Sequence, residues 1–242
     1  MLREEKLGNI VDGAREVFFE HGLAGARVDQ IADAAGVSKA TLYAYFPSKT
    51  DLFTEVVSRE CEMLAEDLEK LLRKQGPVEE TLQMFSNSLI GLVFSNAYIR
   101  LYRICVAEAG RFPEIGELFF KSGPARVRRI LARYLTERCQ KGDLTIPDPG
   151  LAADQFIKLS FTGILNGRLF GVQKRIEKPT ISGKTKSATN AFLAQVEKNL
   201  RFGGKRVVVR SHRPLVPTYW SAGLSASQSL ENTALKRRFD IY

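Results

Sequence analysis

A chain of 242 residues, 44% hydrophobic and 26% charged, has the composition of a folded globular protein with one large domain or two small ones. That balance excludes wholesale disorder and collagen-like repeats, and no uninterrupted apolar stretch approaches the ~18 residues a membrane helix needs. The net charge of +9 is unevenly placed, since residues 1–60 hold 7 Lys+Arg against 10 Asp+Glu, so bulk charge alone makes no case for nucleic acid.

Apolar positions recur at helical spacing from the N-terminus to about residue 200, which predicts an all-α fold. Leu7, Ile10, Val11, Ala14, Val17, Phe18 and His21 form one stripe, with Gly22 as the expected helix stop. Val28, Ile31 and Ala32 open a short helix ending at Gly36. Ser38 caps a second short one over Lys39 to Phe46, which Pro47 stops. Ser48-Lys49-Thr50-Asp51 has capping-box spacing and opens a long helix toward Leu72. Gly76-Pro77 breaks the chain before a stripe of Val78, Leu82, Phe85, Leu89 and Leu92, and Tyr98 to Ala109 forms a separate helix. A short segment around Phe119 follows, then a helix from Gly123-Pro124 and another over about 150–171. A polar linker near 173–186 leads to a weaker stripe of Ala188, Phe192, Val196 and Leu200. Residues 203–242 lose any sustained period and hold 8 Lys+Arg against 2 Asp+Glu (counting from 201), so they read as a poorly ordered basic tail that could add non-specific attraction to phosphate. Cys61, Cys105 and Cys139 lie far apart, form no C-x-x-C pair and fit helical apolar patterns, so all three read as buried free thiols.

Residues 27–49, RVDQIADAAGVSKATLYAYFPSK, are the informative stretch. Two short helices joined at Ala35-Gly36-Val37 match a helix-turn-helix, with Gly36 permitting the left-handed turn and Ala34, Ala35 and Ala40 allowing close approach. Ser38, Lys39, Thr41, Tyr43, Ala44 and Tyr45 are left facing outward, and their hydroxyls, ammonium and aromatic edges suit phosphates and base edges in a major groove. Tyr43 and Tyr45, two apart, cannot both face one core. Lys49 opens a helix against its dipole, which an external anion would explain.

The phrases A-R-E-V-F-F-E-H-G, Q-I-A-D-A-A-G-V-S-K-A-T-L-Y-A-Y-F-P-S-K and D-L-F resemble the DNA-binding domain of the TetR family of bacterial regulators over residues 8 to 57. A looser resemblance to the ligand domain of a subset of that family runs from Leu101 to about Leu135. The resemblance implies a DNA-binding domain at 1–48, a helical effector and dimerisation domain at 49–202, and the tail at 203–242. It further implies a homodimer on a palindromic operator of double-stranded DNA, released by an apolar or aromatic small molecule. Lys39, Thr41 and Tyr43 fall where the family reads DNA, and Tyr45 and Lys49 where it grips phosphate. Arg27 departs from the family's frequent threonine cap and replaces its hydroxyl with a charge. The effector is expected among Phe85, Phe94, Tyr98, Tyr102, Phe119 and Phe161, with Arg103, Glu108 or Asn166 as polar handles. The helices near 124–141 and 150–171 are the expected dimer bundle, the latter carrying apolar side chains on more than one face. The basic side of the former, from Arg126 to Arg138, reads as solvation.

No enzyme motif stands out: Gly183-Lys184-Thr185 lacks the leading glycine of a phosphate loop, and only His21 and His212 exist. No cofactor or metal is expected. The acidic residues of MLREEKLGNI and its missing apolar stretch speak against a signal peptide, so a cytoplasmic protein is expected. A regulator without a small-molecule effector, acting constitutively or through a protein partner, is the alternative.

Overall fold

The computed structural model describes residues 3–202, apart from 75, 162, 174 and 176, and the expected tail at 203–242 lies outside the described residues. Among the described residues every regular element is a helix. They are α1 (Arg3–Gly25), α2 (Val28–Ala34), α3 (Lys39–Tyr45), α4 (Lys49–Arg73), α5 (Val78–Phe94) and α6 (Asn96–Glu108), followed by α7 (Pro113–Ser122), α8 (Pro124–Gln140), α9 (Pro149–Phe161), α10 (Leu165–Leu169) and α11 (Lys178–Phe202).

Local chemistry explains most boundaries. Glu4 and Glu5 sit in the first turn of α1, where negative charge suits the helix dipole. Ser38 Oγ accepts from the Thr41 amide at 3.1 Å, and Ser48 Oγ accepts from the Asp51 amide at 3.1 Å, so both caps hold as the sequence predicts. Pro113 and Pro124 occupy first turns, where a missing N–H costs nothing. Ser95 caps α6 by accepting from Tyr98 N, and the chain bends by 68° between α5 and α6.

The first helix breaks at Gly22 (φ 70°, ψ 176°) as expected, and a short helical stretch to Gly25 follows the kink within α1. Two expectations need correction. The helix expected over 150–171 ends at Phe161, because Gly163 takes a left-handed φ of 73° and the chain restarts as α10. The expected linker at 173–186 is helical from Lys178.

Among the described residues two large apolar cores and a small third one around Ile90, Val93, Ile99 and Ile164 organise the fold, and α4 runs through both large ones. Ile10, Phe18, Ile31, Leu42 and Phe53 form the first, with Leu101 and Cys105 from α6 and Ile115 from α7 in the same cluster. Phe18 and Phe53 meet edge to face at 5.1 Å. Leu82, Phe85, Leu131, Phe156 and Phe192 form the second, from α5, α8, α9 and α11. Each fully buried Phe or Leu contributes roughly 1.5–3 kcal/mol. Because the first core includes α6 and α7, the N-terminal helices do not stand as an island.

The buried Arg168 pins α10 to the end of α5. Its guanidinium donates to the carbonyls of Val93 (3.4 Å) and Phe94 (3.2 Å) and to Asn96 Oδ1 (3.2 Å), and it lies 5.2 Å over the Phe94 ring. Final-turn carbonyls have no partner within their own helix, and a cation there is doubly favourable. Arg103 does the same for α10, donating to Leu169 O at 2.8 Å and Arg168 O at 2.9 Å. Among the described residues no single helix is long and apolar enough to cross a membrane.

Candidate nucleic-acid interface and ligand cavity

The α2–turn–α3 unit is set on α1 by a close approach that the sequence pattern did not reveal. A Cβ at Gly13 would stand 2.7 Å from Ala35 N and 2.9 Å from Ala34 C. The turn backbone therefore rests directly on α1. Ala35 is buried there, whereas Ala34 and Ala40, expected to allow close packing, are exposed. Gly36 takes the left-handed φ of 63° that the turn requires.

That seat leaves one face of α3 outward. Ser38, Lys39 and Tyr43 are exposed, Tyr43 by 48%, and Thr41 is half-buried with its hydroxyl 2.9 Å from Ser38 Oγ. Lys39 Nζ meets Asp29 Oδ1 at 2.5 Å, tying α3 to α2. Arg27, exposed at the start of α2, supplies no side-chain cap; Gln30 Oε1 accepts from its amide at 3.1 Å instead.

Two residues expected on phosphate take other positions. Tyr45 packs partly against the first core, and its hydroxyl donates to Arg3 O at 3.4 Å. Lys49 turns back on α1, donating to Ala26 O at 2.8 Å and Ala24 O at 3.3 Å. The carbonyls closing α1 attract the ammonium that the N-terminus of α4 would otherwise disfavour, so no external anion is needed to explain it.

A cavity of about 750 Å³ opens beside α9, with Cys61 and Leu64 of α4, Leu89 and Leu92 of α5, and Tyr98 and Tyr102 of α6 on its walls. Phe120, Phe161, Arg128, Asp148, Asp154 and Lys158 also line it. Of the candidates named from the sequence, Tyr98, Tyr102 and Phe161 line this cavity. The other candidates do not line it. Phe85 is fully buried against Phe156, and Phe94 lies beneath Arg168. Arg103 closes the end of α10, and Asn166 is exposed on that helix. Phe119 packs behind the wall, 5.4 Å from the Tyr102 ring, so helical register gives the cavity Phe120 instead. Glu108 is not on the wall either. Arg128 and the Asp148–Gly150 loop were missed because a basic helix side and a Pro-rich turn both look like solvated surface.

Burial pushes the Cys61 thiol up to about 12, with the neighbouring Glu60 charge adding to it, and burial does the same for Cys105, also to about 12. Burial likewise holds the Tyr98 phenol well above its usual range, so it remains a neutral donor. Both thiols are weak nucleophiles, while Cys139 is only half-buried, contrary to the expectation of three buried ones. A disulfide reagent at pH 8 should therefore label Cys139 fast and the other two slowly; three equal rates would contradict this packing. These thiols remain protonated in the folded state while the unfolded chain ionises from about 9 upward. Stability is thus unaffected by them below that pH and falls as pH rises toward 12.

Two family models match this chain. Residues 10–56 match the family described as "Bacterial regulatory proteins, tetR family", and residues 80–195 match "AefR-like transcriptional repressor, C-terminal domain". A chain described as a TetR-family transcriptional regulator of Mesorhizobium loti matches with a TM-score of 0.77 at 27% identity, over 81% of this chain and 98% of that one. The Flavonoid-responsive Regulator FrrA matches with a TM-score of 0.66 at 33% identity, over 78% and 96%. The HTH-type transcriptional activator FasR of Mycolicibacterium smegmatis is 34% identical over 107 residues, 40% of this chain and 49% of the relative. The chain spans about half the length or less of the curated relatives it matches.

Proposed function

The chain belongs to the TetR family of bacterial transcriptional regulators, and from that premise we propose that it is a homodimeric repressor released from a palindromic operator when a small molecule enters the cavity beside α9. The observation that carries this reading is the double duty of α6. One side of that helix gives Tyr98 and Tyr102 to the cavity. The other gives Leu101 and Cys105 to the core that holds α1, and Arg100 donates to Phe19 O at 3.3 Å. A ligand that shifts α6 must therefore shift α1 and the α2–α3 unit seated on it. The change in operator affinity equals the ligand's preference for one arrangement over the other.

Arg27, Ser38, Lys39, Thr41 and Tyr43 are the proposed DNA contacts. Tyr45 and Lys49 position α3 and α4 against α1. Phe170 and Val172, each 82% exposed, follow α10, and Leu159, 36% exposed, lies near the end of α9. The outward side of α8 carries Arg128, Arg129, Arg133 and Glu137 instead. The proposed dimer face is accordingly the α9–α10 surface, and α8 has no part in it. The reading calls on no catalytic step, and it places the protein on cytoplasmic DNA.

Duplexes enriched from a random pool by the full chain should be palindromic, with half-sites about one turn, ~34–36 Å, apart. Enrichment of a single unpaired half-site would overturn the dimeric reading. Tyr43→Ala should lower affinity for the enriched duplex about tenfold or more with helicity and dimerisation intact, since a base-edge contact contributes ~1–3 kcal/mol. Unchanged anisotropy titrations would remove Tyr43 from the interface. The presence of the cavity favours a ligand-responsive protein over one with no effector.

A further inference from the structure

We infer that the cavity selects an aromatic monoanion of the carboxylate type, with Arg128 as the anchor for its head group; this rests on reading the cavity as the effector site. Its body is apolar and ring-bearing, from Leu64, Leu89 and Leu92 to Tyr98, Tyr102 and Phe161. A volume near 750 Å³ suits a multi-ring organic molecule. Four charged side chains lie on the wall, and three of them have their charge compensated. Lys158 Nζ meets Asp154 Oδ2 at 2.6 Å. Asp148 Oδ1 accepts from the Leu151 amide at 3.0 Å, which places the carboxylate at the N-terminus of α9.

Arg128 is different. Among the described residues it makes no ion pair and no side-chain hydrogen bond, although it stands at the rim of an apolar, ring-lined space. Glycine at 150 keeps room beside it: a Cβ there would be 3.6 Å from Arg128 Nη1 and 3.2 Å from Asp148 Oδ1. A guanidinium grips a carboxylate with two parallel N–H donors, and a neutral head group cannot replace that grip. A cationic head would meet Arg128 as a like charge.

The test uses three probes of one shape, naphthylacetate, naphthylethanol and naphthylethylammonium, titrated calorimetrically into the full chain. The acid should bind about ten- to hundredfold more tightly than the alcohol, as expected for charge-assisted hydrogen bonds, and the ammonium most weakly. Arg128→Ala should erase the acid's advantage and leave alcohol binding unchanged, while Arg128→Lys should retain part of it. Leu92→Trp, which fills the cavity, should abolish binding of all three. Equal affinity for acid and alcohol, or an acid preference that survives Arg128→Ala, overturns the anchor and leaves the cavity as an effector site. Binding that survives Leu92→Trp, or failure of every probe to bind, overturns the proposal; in the latter case, the absence of any thermal shift across a wider panel of neutral aromatics would also remove the effector reading.

Discussion

Gly13→Ala should abolish operator binding while leaving the protein helical. The new methyl would meet the backbone of Ala34 and Ala35 at 2.7–2.9 Å, and backbone cannot swing aside as a flexible side chain can. Overpacking of this kind costs about 1–3 kcal/mol and is relieved by displacing whatever moves most easily. Here that is the α2–α3 unit, whose position on α1 sets the angle at which α3 meets DNA. Alanine also favours helix over glycine by up to ~1 kcal/mol, so the net loss in stability is smaller than the clash alone implies. Gly8→Ala separates the two effects. It lies on the same helix with no atom within 4 Å of a new Cβ, so it should raise stability by about 0.5–1 kcal/mol and leave operator affinity unchanged. Thermal melts and anisotropy titrations on the pair provide the check. A Gly13→Ala protein that binds DNA normally would show that the turn does not rest on α1 as described.

Arg15→Met should lower stability. Arg15 Nε lies 2.6 Å from Glu60 Oε1, joining α1 to the middle of α4, and the Glu60 side chain is only 6% exposed. The guanidinium also sits 4.7 Å over the Phe19 ring. Removing one partner of a buried pair leaves a charge without compensation, at a cost of about 3–5 kcal/mol. Arg15 itself is 35% exposed, so water can reach the site and about 1–3 kcal/mol is expected here. Adding Glu60→Leu should recover most of that loss, because two apolar residues of similar size need no charge partner. If the double variant is no more stable than Arg15→Met, the loss comes from packing of the arginine stem and not from a stranded carboxylate. Denaturant melts of the four proteins in the cycle decide between these.

The helical architecture and the outward face of α3 were legible because each depends on local chemistry. Ser38 and Ser48 cap, Gly36 turns, and Pro47 stops the chain, all within a few residues. What was not legible depended on distant partners. Nothing near Gly13 announces that residues 34 and 35 will lie against it. Lys49 reads as a cation facing the wrong end of a helix until the end of α1 and the link after it bring the Ala24 and Ala26 carbonyls to it. The cavity was half-readable for a similar reason. Aromatic residues could be counted, but whether Phe119 or Phe120 faces the space is a matter of one helical step. Arg103 and Arg168 show the same limit, since an arginine closing the end of another helix has no signature in its own segment.

The contact between Lys39 and Asp29 has a consequence for how binding responds to ionic strength. An ammonium that docks on a duplex ordinarily liberates a condensed cation, and each such event steepens the logarithmic dependence of affinity on salt by about 0.9. As a proposed DNA contact, Lys39 would reach the duplex already paired with Asp29. On transfer to a phosphate it would leave the Asp29 carboxylate as a negative charge near the duplex, which offsets part of the cation release. The salt slope should fall short of the number of lysines and arginines at the interface, and Asp29→Asn should restore the missing fraction.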